Sequence, residues 1–313
     1  MAIKRTEAYF ASNDTLNRVR VLIWQDTDQP VRGVVQIAHG VAEHIGRYDG
    51  FARFLAKAGF IVCGNDHLGH GKTAPTVSEL GFVEPGADVF MAQDMHTLYG
   101  VMRRRFPGAP YYLFGHSMGS LLARVYMAQC ASELSGAILC GTLQLPDPVL
   151  LLGDPVGALM DRLPEQFTMG DLANAAFGRV TARILKDDDP LAWISKNKEN
   201  LVRWREDPLC GFSIGNDLAR ALVSLAVKAG MPGAFRRLPA GFPVMLISGG
   251  RDPVGFFGRG VIAVADRLMG ADIVPEVILY PGDRHEILNE EDCEKVYADV
   301  LRFLNAANAG GIC

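Results

Sequence analysis

Apolar positions along the first half of the chain alternate between two rhythms. RVRVLIW and GVVQIAH are β-branched runs that read as strands and could pair. YDGFARFLAKAG then switches to a helical period, with Phe51, Phe54, Leu55 and Ala58 on one face and Gly59 at its C-terminal end. FIVCGND is a short apolar run of the kind that forms a fully buried strand. ADVFMAQDMHTLYGVMRRRFPG carries Met91, Met95, Leu98 and Met102 on one stripe, and its three closing arginines suit the negative end of a helix. YYLFGHS, MGSLLARVYMAQCA and GAILCG complete a strand, helix and strand. Alternation of this kind predicts an α/β fold: a mostly parallel sheet flanked by helices, with right-handed crossovers.

The rhythm breaks near Thr142. From there to Leu238 no strand pattern occurs, and DPVLLLGDPVGALMDRL, LANAAFGRV and DLARALVSLAVKAG read as helices. Strand signals return in GFPVMLISGG and VPEVILYPG, and CEKVYADVLRFLNAA closes the chain as a helix. The expected organisation is therefore a core in two parts, residues 1–141 and 239–313, interrupted by a helical cap over residues 142–238.

Composition narrows the function classes. Hydrophobic residues make up 49% of the chain and charged residues 21%, enough for a large core. A net charge of -4, with no long basic run, gives no electrostatic case for nucleic acid. The N-terminus lacks the apolar segment of a secretory signal, and no window is apolar enough to span a membrane. The six cysteines, without CxxC spacing, read as reduced thiols of a cytoplasmic protein. His67 and His70 lie close together in NDHLGHGK, but no thiol is near in sequence, so no metal site is expected. No cofactor is implied.

The chemistry concentrates at strand ends. In GHSMG, Ser117 stands between a strand and a helix, the context in which a G-x-S-x-G turn exposes a serine hydroxyl above a sheet. A serine needs a base to take its proton. Of seven histidines, only His285 follows the insertion, just past the strand VILY. Asp252 follows the other late strand, and the order serine, aspartate, histidine is that of α/β-hydrolases. His116 is expected to point away from the serine. Oxyanion donors are expected at Met118, directly after the serine, and at Val41, in the loop after VVQIAH.

HGVAEHIGRYDGFARFLAKAGFIVCGNDHLGHGKT, together with GHSMGS, SGGRDPVG and YPGDRHEILNE, resembles monoacylglycerol lipases and bacterial lysophospholipases of the serine aminopeptidase S33 group. The resemblance covers about two-thirds of the chain. It implies Ser117, Asp252 and His285 as the catalytic set, Val41 and Met118 as oxyanion donors, and a cap holding an acyl-binding channel. Glu43, His44, Arg47 and Tyr48 match the group's early loop. Their expected role is a polar lock, with substrate contact by Glu43 or Arg47 as the alternative. Two departures stand out: Lys72-Thr73 replaces a small residue and serine, and Leu288 takes the place of a second histidine found in the animal enzymes. DPLCGF is similar to bacterial lysophospholipase-like sequences.

The expected function is hydrolysis of a monoacyl-lipid ester, lysophospholipid or monoacylglycerol, through an acyl-enzyme. The expected partners are that small lipid or ester and, through apolar cap surface, a membrane face. Rival readings are an aminopeptidase, which would need an acidic pair drawn from Glu165, Asp171 and Asp187 to Asp189; a short-chain ester or thioester hydrolase; and a non-catalytic binding protein.

Overall fold

The computed structural model describes residues 3–151, 169–231 and 233–310. An eight-stranded sheet carries the fold, in the order β1-β2-β4-β3-β5-β6-β7-β8. The strands are β1 Ile3–Ala11, β2 Arg18–Asp26, β3 Gly33–Ala38, β4 Phe60–Asn65, β5 Tyr111–His116, β6 Gly136–Cys140, β7 Val244–Gly249 and β8 Glu276–Tyr280. From β4 to β8 every pairing is parallel, while β1 and β2 join antiparallel at one edge. Every residue of β3 through β7 is buried, as expected of strands covered on both faces.

Among the described residues the helices are α1 Asp49–Lys57, α2 Ala87–Arg105, α3 Met118–Cys130, α4 Asp147–Leu150, α5 Met169–Leu185, α6 Lys198–Glu206, α7 Asn216–Gly230, α8 Arg259–Met269 and α9 Cys293–Asn308. One face of the sheet buries Met91, Met95, Leu98 and Met102 of α2 with Leu122 of α3, Leu218 of α7 and Val264 of α8. The other buries Phe51 and Leu55 of α1 against Val300 and Phe303 of α9.

Three elements differ from the pattern reading. The runs RVRVLIW and GVVQIAH do not pair: β4 lies between β2 and β3, because the β3–α1–β4 crossover places β4 on that side first. β1 was not legible as a strand because it is an edge strand with exposed Lys4, Arg5 and Glu7. α6 was missed because its sequence, KENLVRWRE, is mostly charged; Asn197 caps it, accepting from the Glu199 and Asn200 N–H groups. Of the helix expected from DPVLLLGDPVGALMDRL, the described part is α4, and residues 152–168 lie outside the description. Between β6 and β7 the described residues contain no strand.

Both ends of that insertion are tied to the helix that follows Ser117. Arg124 of α3 is fully buried, and its guanidinium donates to the Leu143 carbonyl at 2.7 Å, Gln144 Oε1 at 2.7 Å and the Ala229 carbonyl at 2.6 Å. Burial pushes its pKa down to about 9. We expect Arg124→Ala to lower the unfolding free energy by about 3–5 kcal/mol, since it leaves a cavity and strands buried acceptors. Urea midpoints read this directly, and an unchanged midpoint would show that the freed acceptors find other donors.

Candidate active site

Ser117 sits at the corner between β5 and α3 with φ 53° and ψ -119°, a backbone conformation that a non-glycine residue holds only under strain. The surrounding glycines make the corner possible. A Cβ on Gly115 would lie 2.3 Å from the Gly119 carbonyl oxygen, and one on Gly119 would lie 2.0 Å from that of Ala38. Because these neighbours are backbone, nothing can move aside, and β3, β5 and α3 close on one another only without side chains there. The N–H of Ser117 donates to the Cys140 carbonyl at 3.0 Å, fixing the corner against the end of β6. Met118 opens α3, so its N–H is among the first-turn donors that no helix carbonyl can reach.

Asp252 and His285 come together from the loops after β7 and β8. His285 Nδ1–H donates to Asp252 Oδ2 at 2.9 Å, and both side chains are buried. Asp252 is itself held: its Oδ1 accepts the Val254 N–H at 2.9 Å and its Oδ2 the Ser248 hydroxyl at 3.3 Å. With Nδ1 bound to a carboxylate, the imidazole presents Nε2 as its basic nitrogen. The ring packs over Gly141, where a Cβ would meet His285 Cε1 at 3.1 Å. Gly141 directly follows Cys140, whose carbonyl holds Ser117, so Ser117 and His285 both meet the Cys140–Gly141 segment.

The loop after β3 folds against the same corner. A Cβ on Gly40 would lie 3.3 Å from that of Ser117, which places the Gly40–Val41 backbone beside the serine. Glu43 shapes this loop from beneath. Its Oε1 accepts from the Gly40 N–H at 2.6 Å, the Tyr48 hydroxyl at 2.8 Å and His116 Nδ1 at 3.2 Å. Burial would raise the Glu43 carboxyl and lower the His116 imidazole, but the bond and charge between them win. Glu43 is held well below the carboxylate range and His116 is raised. Arg47 forms a two-pronged pair with Glu286, at 2.6 and 2.8 Å, donates to Asn200 Oδ1 at 3.0 Å and lies over Trp204, 4.4 Å from the ring centroid. The groups of Glu43 and Arg47 considered for substrate contact are thus taken up inside the protein.

His116 points away from the Ser117 corner, toward Glu43, and its ring packs 4.7 Å from that of His285. This neighbour of His285 escaped the sequence reading, as did Glu286 and Asn200, which hold Arg47. The available signal was strand alternation, which turns His116 and Ser117 to opposite sides. His39, His67 and His70 form a buried cluster under the loop, with ring centroids of His39 4.3 Å from His67 and 5.2 Å from His70.

The insertion supplies the remaining wall. The Trp193 and Ile194 carbonyls accept the N–H groups of His285 and Glu286 at 3.3 and 2.8 Å. Arg284 donates to the Ala192 carbonyl at 2.7 Å and to Asp187 at 3.0 Å, and Ser195 donates to Glu290 at 2.9 Å. Adjoining this seam, an apolar cavity of about 270 Å³ is lined by Val41, Ala42, Trp193, Ile194, Trp204 and Phe212, among others. Of the acidic residues considered for binding a substrate amine, Asp187 pairs with Arg284 and Lys198, and Asp189 with Arg205. Glu165 and the side chain of Asp171 lie outside the description.

Among the described residues, two clusters bring possible metal-ligand atoms within 4.8 Å of one another: His44 with Asp207 and Cys210, and His96 with Cys130 and Glu133. In the first, His44 bonds Asp207 at 2.9 Å; in the second, His96 bonds the neighbouring Tyr126 hydroxyl at 2.9 Å.

The family model described as serine aminopeptidase, S33 matches residues 29–292. A monoacylglycerol lipase of Mycolicibacterium smegmatis is 28% identical over 306 residues, covering 96% of this chain and 97% of that protein. Among solved structures, a highly thermostable carboxyl esterase from Bacillus coagulans in complex with glycerol aligns at a TM-score of 0.89 and 32% identity, over 98% of this chain and 100% of that one. A lipase in an open form aligns at 0.86 and 28%, over 97% and 99% of the two chains.

Proposed function

The chain belongs to the serine aminopeptidase S33 family of α/β-hydrolases, and from that premise we propose that it hydrolyses the ester of a monoacylglycerol through an acyl-enzyme on Ser117. The observation that carries this reading is the buried Asp252–His285 pair and the strained Ser117 corner meeting at the Cys140–Gly141 segment, with an apolar cavity nearby. His285 Nε2 takes the Ser117 proton as the hydroxyl attacks the ester carbonyl. The Val41 and Met118 N–H groups receive the oxyanion. His285 then protonates the leaving glycerol oxygen, and water repeats the cycle to release the fatty acid.

Glu43 acts as a positioning residue, holding the Gly40–Val41 turn, and Arg47 acts through Glu286 on the loop that carries His285. Residues 142–238 serve as the cap, with one wall sewn to the core by Trp193 to Asn197. The relatives named above favour a glyceryl ester. So does the charge around the site: Arg47 and Arg284 are already matched to carboxylates and offer a phosphodiester little. The pairing of Asp187 and Asp189 likewise weighs against an aminopeptidase, which needs unpaired carboxylates for an amine.

A matched panel tests the proposal: a monoacylglycerol, the lysophosphatidylcholine of the same acyl chain, a diacylglycerol and an aminoacyl anilide. The expected result is highest kcat/KM on the monoacylglycerol, by tenfold or more over the lysophospholipid. Faster turnover of the anilide would overturn the ester reading. Faster turnover of the lysophospholipid would move the substrate to the phosphorylated headgroup.

A further inference from the structure

We propose that Trp193 is the specificity-determining residue of this site, narrowing the acyl cavity beside His285 so that short and medium acyl chains are preferred to long ones. The inference rests on the ester-hydrolase reading above and deepens it.

Three observations carry it. First, the indole touches both the chemistry and the cavity: its ring lies 5.5 Å from that of His285 and also lines the apolar space with Val41 and Trp204. Second, it is held in place. Its carbonyl accepts the His285 N–H, the next carbonyl accepts the Glu286 N–H, and the preceding Ala192 carbonyl accepts from Arg284. Phe177 of α5 packs edge-on against the ring at 5.3 Å and 78°. The main chain that carries the indole is thus anchored on both sides, and the ring itself packs between Phe177 and His285, so displacing it for a longer substrate gives up both ring contacts. Third, the cavity is small. At about 270 Å³ it falls just below the roughly 300–1,000 Å³ typical of pockets that enclose a drug-sized ligand.

The consequence is a length cutoff. Each methylene buried in the transition state gains roughly fourfold in kcat/KM, and each one that meets a fixed wall gains nothing or loses. With the indole in place the gain should stop early. With alanine there, the wall retreats toward Phe177 and further methylenes are buried.

The test is kcat/KM on butanoyl, octanoyl, dodecanoyl and hexadecanoyl nitrophenyl esters for wild type, Trp193→Ala and Trp193→Phe. A fluorophosphonate counts competent Ser117 in each preparation, and thermal unfolding confirms the fold. Wild type should peak before the hexadecanoyl ester. Trp193→Ala should raise the hexadecanoyl-to-octanoyl ratio at least tenfold over wild type, the ratio being read whatever happens to the butanoyl rate. Trp193→Phe should fall between them, and it carries the test by itself if the alanine variant fails to fold. A uniform drop at every chain length would assign Trp193 to orienting His285 and overturn the proposal. So would an unchanged length profile. Wild type that neither turns over ester nor labels at Ser117 would instead sink the underlying hydrolase reading, and the proposal with it.

Discussion

Ser117→Gly is expected to abolish ester hydrolysis and at the same time to make the protein more stable. The loss follows from the proposed role: without the nucleophile, kcat should fall by roughly 10⁵–10⁶, the scale on which serine hydrolases lose activity when the attacking hydroxyl is removed. The gain follows from the backbone. At φ 53° and ψ -119° a side chain costs about 1–3 kcal/mol, and glycine adopts such angles without that cost. Glycine also gives up more entropy on folding, by roughly 0.5–1 kcal/mol, so the net gain should be about 1 kcal/mol. Ser117→Ala separates the two effects. It should be equally inactive, yet no more stable than wild type, because alanine keeps the Cβ. Denaturant unfolding and initial rates on the same preparations read both quantities. Ester turnover within tenfold of wild type in either variant would remove Ser117 from the mechanism. Equal stability of glycine and alanine variants would mean that the corner is not strained.

The serine corner and the Asp252 and His285 loops were legible because each is a local signal: an apolar run, then glycine, then a polar residue at the strand's end. The parallel order of β4 to β8 followed from alternation with helices in the same way. What alternation does not encode is which strand lies beside which. Hence β2 and β3, neighbours in sequence, are separated by β4 in the sheet. The insertion was legible in part: LANAAFGRV and DLARALVSLAVKAG fall within α5 and α7, whereas α6 answers to contacts far away in sequence. Asn200 of α6 serves Arg47 and Glu286, and Lys196 reaches Asp283 at 2.5 Å. Glu43 shows the same limit. Its position in a distinctive loop was visible, but its partners Gly40, Tyr48 and His116 converge only once β3 and β5 are side by side.

Mild acid should unfold the protein, and the buried histidines should be the reason. His39, His67 and His70 are each fully buried, and His67 Nε2 and His70 Nε2 have no hydrogen-bond partner. Burial first, and then the neighbouring histidine charges, hold His67 well below the usual imidazole range and push His70 down to about 3. Burial lowers His39 as well, against the pull of Glu43 and Asp66. In the unfolded chain these groups titrate near 6.5. Below that pH the unfolded state therefore binds protons that the folded state refuses, and stability falls as pH falls. Each such histidine removes up to about 1.4 kcal/mol per pH unit. Two units of acid acting on His67 and His70 alone amount to roughly 5 kcal/mol, a large part of the roughly 5–15 kcal/mol that holds a domain together. His116 has the opposite sign: its raised pKa contributes stability that is complete below 6.5 and is lost as pH rises through the folded value, so it cannot offset the decline. Glu43, held low, begins to add to the decline only below its unfolded value near 4.5. Urea midpoints taken from pH 7.5 to 4.5 should therefore drop steeply. His70→Phe, which sets a ring against Phe212 in place of a titrating one, should flatten the slope by about 1.4 kcal/mol per pH unit even if it costs stability at neutral pH. An unaltered slope in that variant would clear His70 and assign the acid sensitivity to other groups. Because His39 immediately precedes Gly40, opening of this cluster should release the turn beside Ser117, so that ester turnover and the urea midpoint decline together.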